Sequence, residues 1–325
     1  MKRHSGKSGI IVFVGIVFIL LFAHGGHSQE VYPSRPVTFI VAFPPGGSTD
    51  LSYRLLTKEA EKHLGQPIIV VNKPGGGGTI GVSAVASAKP DGYTIGMSPS
   101  GGFLAIMPYI EKIPYHPIKD IKYIIQFASL NFGVVVKADS SFKSFKDLIA
   151  YARQNPKKLT YGTNAPNSIS NLIMEQIAKK EGVQMTHIPF KGSADYQTAL
   201  LGGHVLFTIG EFNYSLLEGG QVRVLLFLGE KHSEEYQQVP ILKDLGYDIP
   251  CPVFNGVAGP KGLPDEIVKK LEEAFTRGMM EPSFIKGMRD LHVTIVHRNS
   301  KEFTEYIGYN FESFGKILKE MGLIK

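Results

Sequence analysis

The chain carries one cysteine in 325 residues, Cys251, which excludes an intramolecular disulfide framework and leaves stability to burial. Set between Pro250 and Pro252, that thiol reads as a small packed residue rather than a reactive one. Histidines 63, 116, 187, 204, 232, 292 and 297 are dispersed, with no H-x-x-x-H pair and no Cys/His set at zinc spacing, so the sequence supports no metal site. The apolar run Ile10–Ala23 has 14 residues. As helix that is about 21 Å, short of a hydrocarbon core of roughly 30 Å. With 36 glycines and 20 prolines, the chain stays below the roughly 25–30% that marks low complexity. These residues therefore punctuate packed elements.

Length and composition suit two lobes at about 100–200 residues each. Lys2, Arg3 and Lys7 precede the apolar run, and small or polar residues follow it to Ser28. This is the pattern of a secretory signal peptide over residues 1–28, cut between Ala23 and Gln29, and it predicts export to the periplasm. The formal net charge is +6, of which those three basic residues supply three and no acidic residue precedes Gln29, so the mature chain carries +3. Without a Lys/Arg stripe, that balance gives no case for nucleic acid and remains compatible with small anions.

From Val37 onward, short apolar runs alternate with helical segments. Val37–Phe43 reads as a strand covered on both faces, ended by Pro44-Pro45-Gly46-Gly47; a helix through Leu51, Leu55, Leu56, Ala60 and Leu64 follows and stops at Gly65. Ile68–Val71 and Tyr93–Met97 are further strands around a helix over Ile80–Ala88. A second series places strands at Val134–Val136, Leu159–Tyr161, His187–Pro189, Val205–Thr208 and Arg223–Phe227, with helices at Ser144–Gln154, Ser168–Glu181 and Ala194–Leu201. Phe254–Ala258 reads as a strand leaving this series, and Pro264–Met280 as a helix with proline in its first turn. The expected fold class is α/β, two doubly wound lobes with a ligand cleft between them. Lobe 1 takes residues 29–129 plus 253–325 and lobe 2 takes 130–252, with crossovers near Phe127–Phe132 and Pro250–Asn255.

Ligands of open α/β sheets bind beyond the carboxyl ends of the strands, so the loops leaving strands carry the functional reading. The first is Phe43-Pro-Pro-Gly46-Gly47-Ser48-Thr49-Asp50. Its glycines admit a ligand close to the backbone, and the following helix start offers unpaired N–H groups to an anion. The same residues also describe a capped turn with Asp50 answering the helix dipole. The second is Gly162-Thr163-Asn164-Ala-Pro-Asn167-Ser168, whose uncharged donors and acceptors suit orienting a polar ligand or, equally, capping a helix. A third, Phe190-Lys191-Gly-Ser-Ala-Asp195, sets Lys191 to face a carboxylate and Asp195 an amine or hydroxyl, although a solvated lysine is the commoner outcome for Lys191.

Two sharper motifs fail. Lys73-Pro-Gly-Gly-Gly-Gly-Thr79 lacks the G-K-[ST] ending of a phosphate-binding loop. Gly96-Met-Ser98-Pro-Ser100 nearly matches a nucleophile elbow, but Ser100 stands at its final glycine position, so Ser98 and Ser100 fit better as donors at a strand end.

Several segments, in order and spacing, resemble the Bug/TctC family of extracytoplasmic solute-binding proteins of tripartite tricarboxylate transporters. They are Tyr32-Pro-Ser-Arg-Pro-Val-Thr-Phe-Ile-Val, Pro45-Gly-Gly-Ser-Thr-Asp50, Val71-Asn-Lys-Pro-Gly-Gly-Gly-Gly-Thr-Ile-Gly81 and Ala88-Lys-Pro-Asp-Gly-Tyr-Thr-Ile95. The likeness continues through Tyr161-Gly-Thr-Asn-Ala, Phe190-Lys-Gly-Ser, Leu200-Leu-Gly-Gly-His-Val205 and Gly256-Val-Ala-Gly-Pro-Lys-Gly-Leu-Pro264. The resemblance implies a type II periplasmic binding protein fold and a small organic anion, a carboxylate, held by amides, hydroxyls and bridging waters. It also implies membrane transporter subunits as partners, a monomer, no cofactor and no catalysis. It places Gly46, Gly47, Ser48, Thr49 and Asp50 on one wall and Thr163, Asn164, Asn167 and Ser168 on the other, with Ser98 and Ser100 beside them. The chain departs from the family pattern at Asn164, Pro166, Asn167, Leu206 and Gly210-Glu211, which points to a different ligand from the family's commonest ones. From the residues alone, two readings stay beside the receptor: an enzyme using Asp50, Asp195 or Glu211 as general base, and a sensor docking on a membrane kinase.

Overall fold

The computed structural model describes residues 32–130, 132–233 and 235–325; the expected signal peptide at 1–28 lies outside them. The first sheet is built from β1 (Val37–Val41), β2 (Ile68–Asn72), β3 (Thr94–Met97), β4 (Ile121–Ser129), β10 (Phe254–Pro260) and β11 (Thr294–Arg298). Its order is β11-β4-β10-β3-β1-β2. The second contains β5 (Phe132–Lys137), β6 (Thr160–Thr163), β7 (Thr186–Pro189), β8 (Phe207–Glu211) and β9 (Val222–Phe227), in the order β7-β6-β8-β5-β9. The protein is thus an α/β molecule with two open sheets and a cleft between two lobes.

Both sheets are mixed, and the mixture fixes where the cleft lies. β1 runs parallel to β2 and β3, while β10 runs antiparallel to β3, pairing Val257 with Met97. The carboxyl ends of β1 and β3 therefore lie beside the amino end of β10, which is also where β4 ends, Ser129 facing Phe254. In the second sheet, β5 is antiparallel to β8 and Phe132 pairs with Glu211, so the carboxyl ends of β6 and β8 lie where β5 begins. The chain passes from β4 to β5 between Ser129 and Phe132 and returns to β10 at Phe254. Leu130 N–H to Val253 O and Leu228 N–H to Phe132 O tie the two passages together. Strand direction alone brings both sets of carboxyl ends to this junction.

The helices that build the lobes are anchored in different ways. Phe145–Gln154 and Ser300–Glu320 begin with full capping boxes, Ser144 with Asp147 and Asn299 with Glu302, which satisfy first-turn N–H groups internally. Ser48–Leu64 and Ser193–Leu201 begin at Gly47 and Gly192, with no side-chain cap. Tyr53, Leu56 and Ala60 of the first of these are fully buried with Phe39 and Phe275. Cys251 is buried, and desolvation pushes its thiol up to about 12, an unreactive state.

Candidate ligand-binding cleft

The first wall is the loop leaving β1. Gly46 takes φ +90°, a left-handed conformation suited to glycine, and its N–H donates to Asp50 Oδ2 at 2.9 Å. This turns the chain so that Gly47 becomes the N-cap of Ser48–Leu64, at φ −76° and ψ 162°. No side chain caps that end, so its first-turn N–H groups carry the positive pole of the helix without a side-chain acceptor. Side-chain space at Gly46 and Gly47 is open, with nothing within 4 Å of an added Cβ. Ser48 is exposed and Thr49 half-buried beside them.

Asp50 faces the other way. It is 1% exposed, and its two oxygens accept from Asn72 Nδ2 at 2.7 Å, Arg54 Nε at 2.9 Å and Gly46 N–H. Burial pushes its carboxyl up, but the hydrogen bonds from Arg54, Asn72 and Gly46 outweigh that and hold it below the ordinary value. Asp50 is therefore an ionised brace behind the loop. Asn72 Nδ2 also donates to Phe43 O at 2.9 Å, and the half-buried Phe43 ring meets Phe103 edge-on at 6.1 Å.

Beyond the carboxyl end of β3 stands Ser98-Pro-Ser100, the expected pair of donors. Ser98 is 1% exposed and Ser100 7%; among the described residues the Ser98 hydroxyl has no hydrogen-bond partner. Ser100 opens the short helix Gly101–Ala105 without capping it, and Gly101 N–H donates to Pro252 O at 2.6 Å, tying this segment to the second crossover.

The second wall differs from its expected form. Thr163 is fully buried: its Oγ1 donates to Ala165 O at 2.9 Å and lies 2.7 Å from His187 Nε2, a ring whose pKa burial lowers. Ser168 Oγ donates to Thr163 Oγ1 at 3.3 Å and accepts from Asn171 N–H, capping Ile169–Glu181. Asn167 sits at φ +55°, its N–H on Asn171 Oδ1. Thr163 and Ser168 thus commit their hydroxyls inward; Asn164 and Asn167 are exposed, Asn167 being tied only through its main-chain N–H. The open donors of this lobe are at the next loop, where Lys191 and Asp195 are exposed and Gly192 starts Ser193–Leu201 with free space around it.

The backbone N–H groups after Gly192 escaped the side-chain reading, although a signal existed. Gly47-Ser48-Thr49-Asp50 and Gly192-Ser193-Ala194-Asp195 are both G-S-x-D, one in each lobe. Tyr196, buried just beyond, donates its hydroxyl to Glu211 O and binds this helix start to the end of β8.

Known proteins share this architecture. Residues 52–323 match the family described as Tripartite tricarboxylate transporter family receptor, TctC. A Cupriavidus necator protein named for the gbd 5′ region, of the UPF0065 group, is 38% identical over 297 residues, covering 91% of this chain and 90% of its own. A TctC solute-binding protein from Polaromonas, solved without ligand, superposes with a TM-score of 0.79 at 28% identity, covering 89% of this chain and 99% of its own. R. palustris Rpa4515 with adipate superposes at TM-score 0.73 and 29% identity, covering 90% and 98%. The chain belongs to the TctC family, whose members are solute-binding receptors.

Proposed function

We propose that the protein is a periplasmic receptor that closes on a small organic anion, a carboxylate, and presents it to the membrane subunits of a tripartite tricarboxylate transporter. It works as a monomer, without cofactor, through lobes at 29–129 plus 253–325 and at 130–252. The single observation that carries this reading is the pair of uncapped, glycine-started helices, Ser48–Leu64 and Ser193–Leu201, one at each side of the junction. Both leave N–H donors where an anion is favoured. The adipate complex of a 29% identical relative supports a carboxylate as ligand class.

In this reading the carboxylate takes N–H and hydroxyl donors from Gly46, Gly47, Ser48 and Thr49 on one wall and from Gly192–Ala194, Asn164 and Lys191 on the other. Phe43, Ser98 and Ser100 form the floor, the exposed Asn167 side chain joins Asn164 on the second wall, and Asp50, Thr163 and Ser168 act from behind. Asp195 lies in the first turn of its helix. A micromolar complex needs about −8 kcal/mol, and a few hydrogen bonds to a charged group at about 1.5–3 kcal/mol each reach that range. In this reading the ligand leaves unchanged; Asp50, buried and held below its ordinary value by three donors, is a poor base.

Calorimetry of the secreted protein against a panel of mono-, di- and tricarboxylates tests the reading, with mass spectrometry of whatever co-purifies. Saturable one-to-one binding with chemically unaltered recovery is expected. No binding across the panel and no co-purified ligand contradicts it.

A further inference from the structure

Glu211 ends β8, the central strand of the second sheet, and pairs with Phe132 three residues past the end of β4. It therefore stands on the cleft floor, beside the first crossover and between the Asn164 loop and β5. Gly210, at φ +138°, breaks the regular strand just before it, and a Cβ there would lie 3.1 Å from Ser170 Oγ and Tyr196 Oη, so the strand end is packed on that side while the Glu211 side chain is exposed. Its main-chain carbonyl is held by Tyr196, but among the described residues its carboxylate meets no cation and no hydrogen-bond donor. The side chain is exposed, yet surrounding protein desolvates it enough to raise its pKa, the combination expected in a concavity.

An unpaired carboxylate in a cleft whose other donors attract anions is an electrostatic filter. A second carboxylate on the ligand meets repulsion there and finds no donor, whereas a hydroxyl or ammonium finds an acceptor. Building on the carboxylate-receptor reading, we infer that Glu211 sets specificity: the preferred ligand carries one carboxylate, held at the helix starts, and a hydrogen-bond-donating group received by Glu211, and dicarboxylates are disfavoured.

The test uses chain-matched probes with the mature protein: adipate, 6-hydroxyhexanoate and 6-aminohexanoate, and the four-carbon set succinate, 4-hydroxybutanoate and 4-aminobutanoate. In at least one set the hydroxy or amino acid should bind about tenfold or more tighter than the matched dicarboxylate. Glu211→Gln should shrink that gap to under about threefold, mainly by gaining the dicarboxylate, while Glu211→Asp keeps the wild-type preference. The Gln variant should melt as wild type does. Dicarboxylates binding wild type as tightly as their partners, or a preference unmoved by Glu211→Gln, overturns the inference and leaves the receptor reading intact. Silence of every acid in the broad panel as well as in these sets overturns both.

Discussion

Asn72 grips the first rim loop at both ends, donating through one nitrogen to Phe43 O at 2.9 Å and to Asp50 Oδ1 at 2.7 Å. The end of β2 thereby sets the shape of the loop that follows β1, and Arg54 completes the clamp. Asn72→Ala should weaken ligand binding without any contact to the ligand. Removing hydrogen bonds to a charged group should lower stability by about 1.5–3 kcal/mol, read from denaturant melts.

The same clamp predicts a pH dependence. The folded Asp50 carboxyl lies below its ordinary value of 3.8, so its contribution to stability is complete above that value and disappears as pH falls through the folded one. Asp50→Asn, which keeps the shape, should melt below wild type at about pH 6, and the difference should narrow steadily toward about pH 2. A gap independent of pH would show that the charge on Asp50 is not what stabilises the loop.

Two glycines should behave in opposite ways. At Gly47 the backbone is at φ −76° and the space beyond is empty, so Gly47→Leu should leave the melting temperature near wild type and reduce affinity tenfold or more, about 1.4 kcal/mol. At Gly81 an added Cβ would lie 2.6 Å from Ala42 Cα, and Gly81→Ala should destabilise the fold by about 1–3 kcal/mol. Parallel losses of stability and affinity at Gly47 would make that glycine a structural turn only.

Ser98 Oγ, buried and without a partner among the described residues, costs the unliganded protein its desolvation. Ser98→Ala should therefore match or exceed wild-type stability in the absence of ligand and bind ligand about three- to tenfold more weakly, a separation that thermal shifts with and without ligand will show.

Across the junction, His292 lies flat on Tyr214, ring centroids 4.3 Å apart at 4°, with Nδ1 2.9 Å from Glu235 and Nε2 3.4 Å from Glu218. His292 precedes β11 of the first sheet and Tyr214 follows β8 of the second, so this stack joins the lobes. An aromatic pair is worth about 0.5–1.5 kcal/mol. His292→Ala should weaken ligand binding about two- to tenfold by depopulating the closed form, with a larger radius of gyration in scattering.

Much of this fold was legible where local chemistry and tertiary position agree. The strand expected over Val37–Phe43 forms and ends two residues early, at Val41, and Ser48–Leu64, ended by Gly65, stands where the pattern places it. Val205 was expected within a strand but belongs to the turn closed by His204 N–H on Ala199 O, and β8 runs on to Glu211. β4 was missed although Ile121–Ser129 is rich in β-branched and aromatic residues, the ordinary strand signal; what local sequence could not give is its pairing, with β10 and β11 more than 100 residues downstream. In the cleft, side-chain chemistry singled out Thr163 and Ser168, whose hydroxyls prove to be spent on their own loop. The donors that remain open are main-chain groups after Gly192, which carry no residue-type signature beyond the repeated G-S-x-D.

A crystal structure of the complex with the co-purifying or tightest-binding acid tests the central claim most directly. The account predicts one carboxylate at hydrogen-bond distance from main-chain N–H groups of both Ser48–Thr49 and Ser193–Ala194, with the ligand chemically intact. A ligand held by one lobe alone, or seated away from both helix starts, would contradict it.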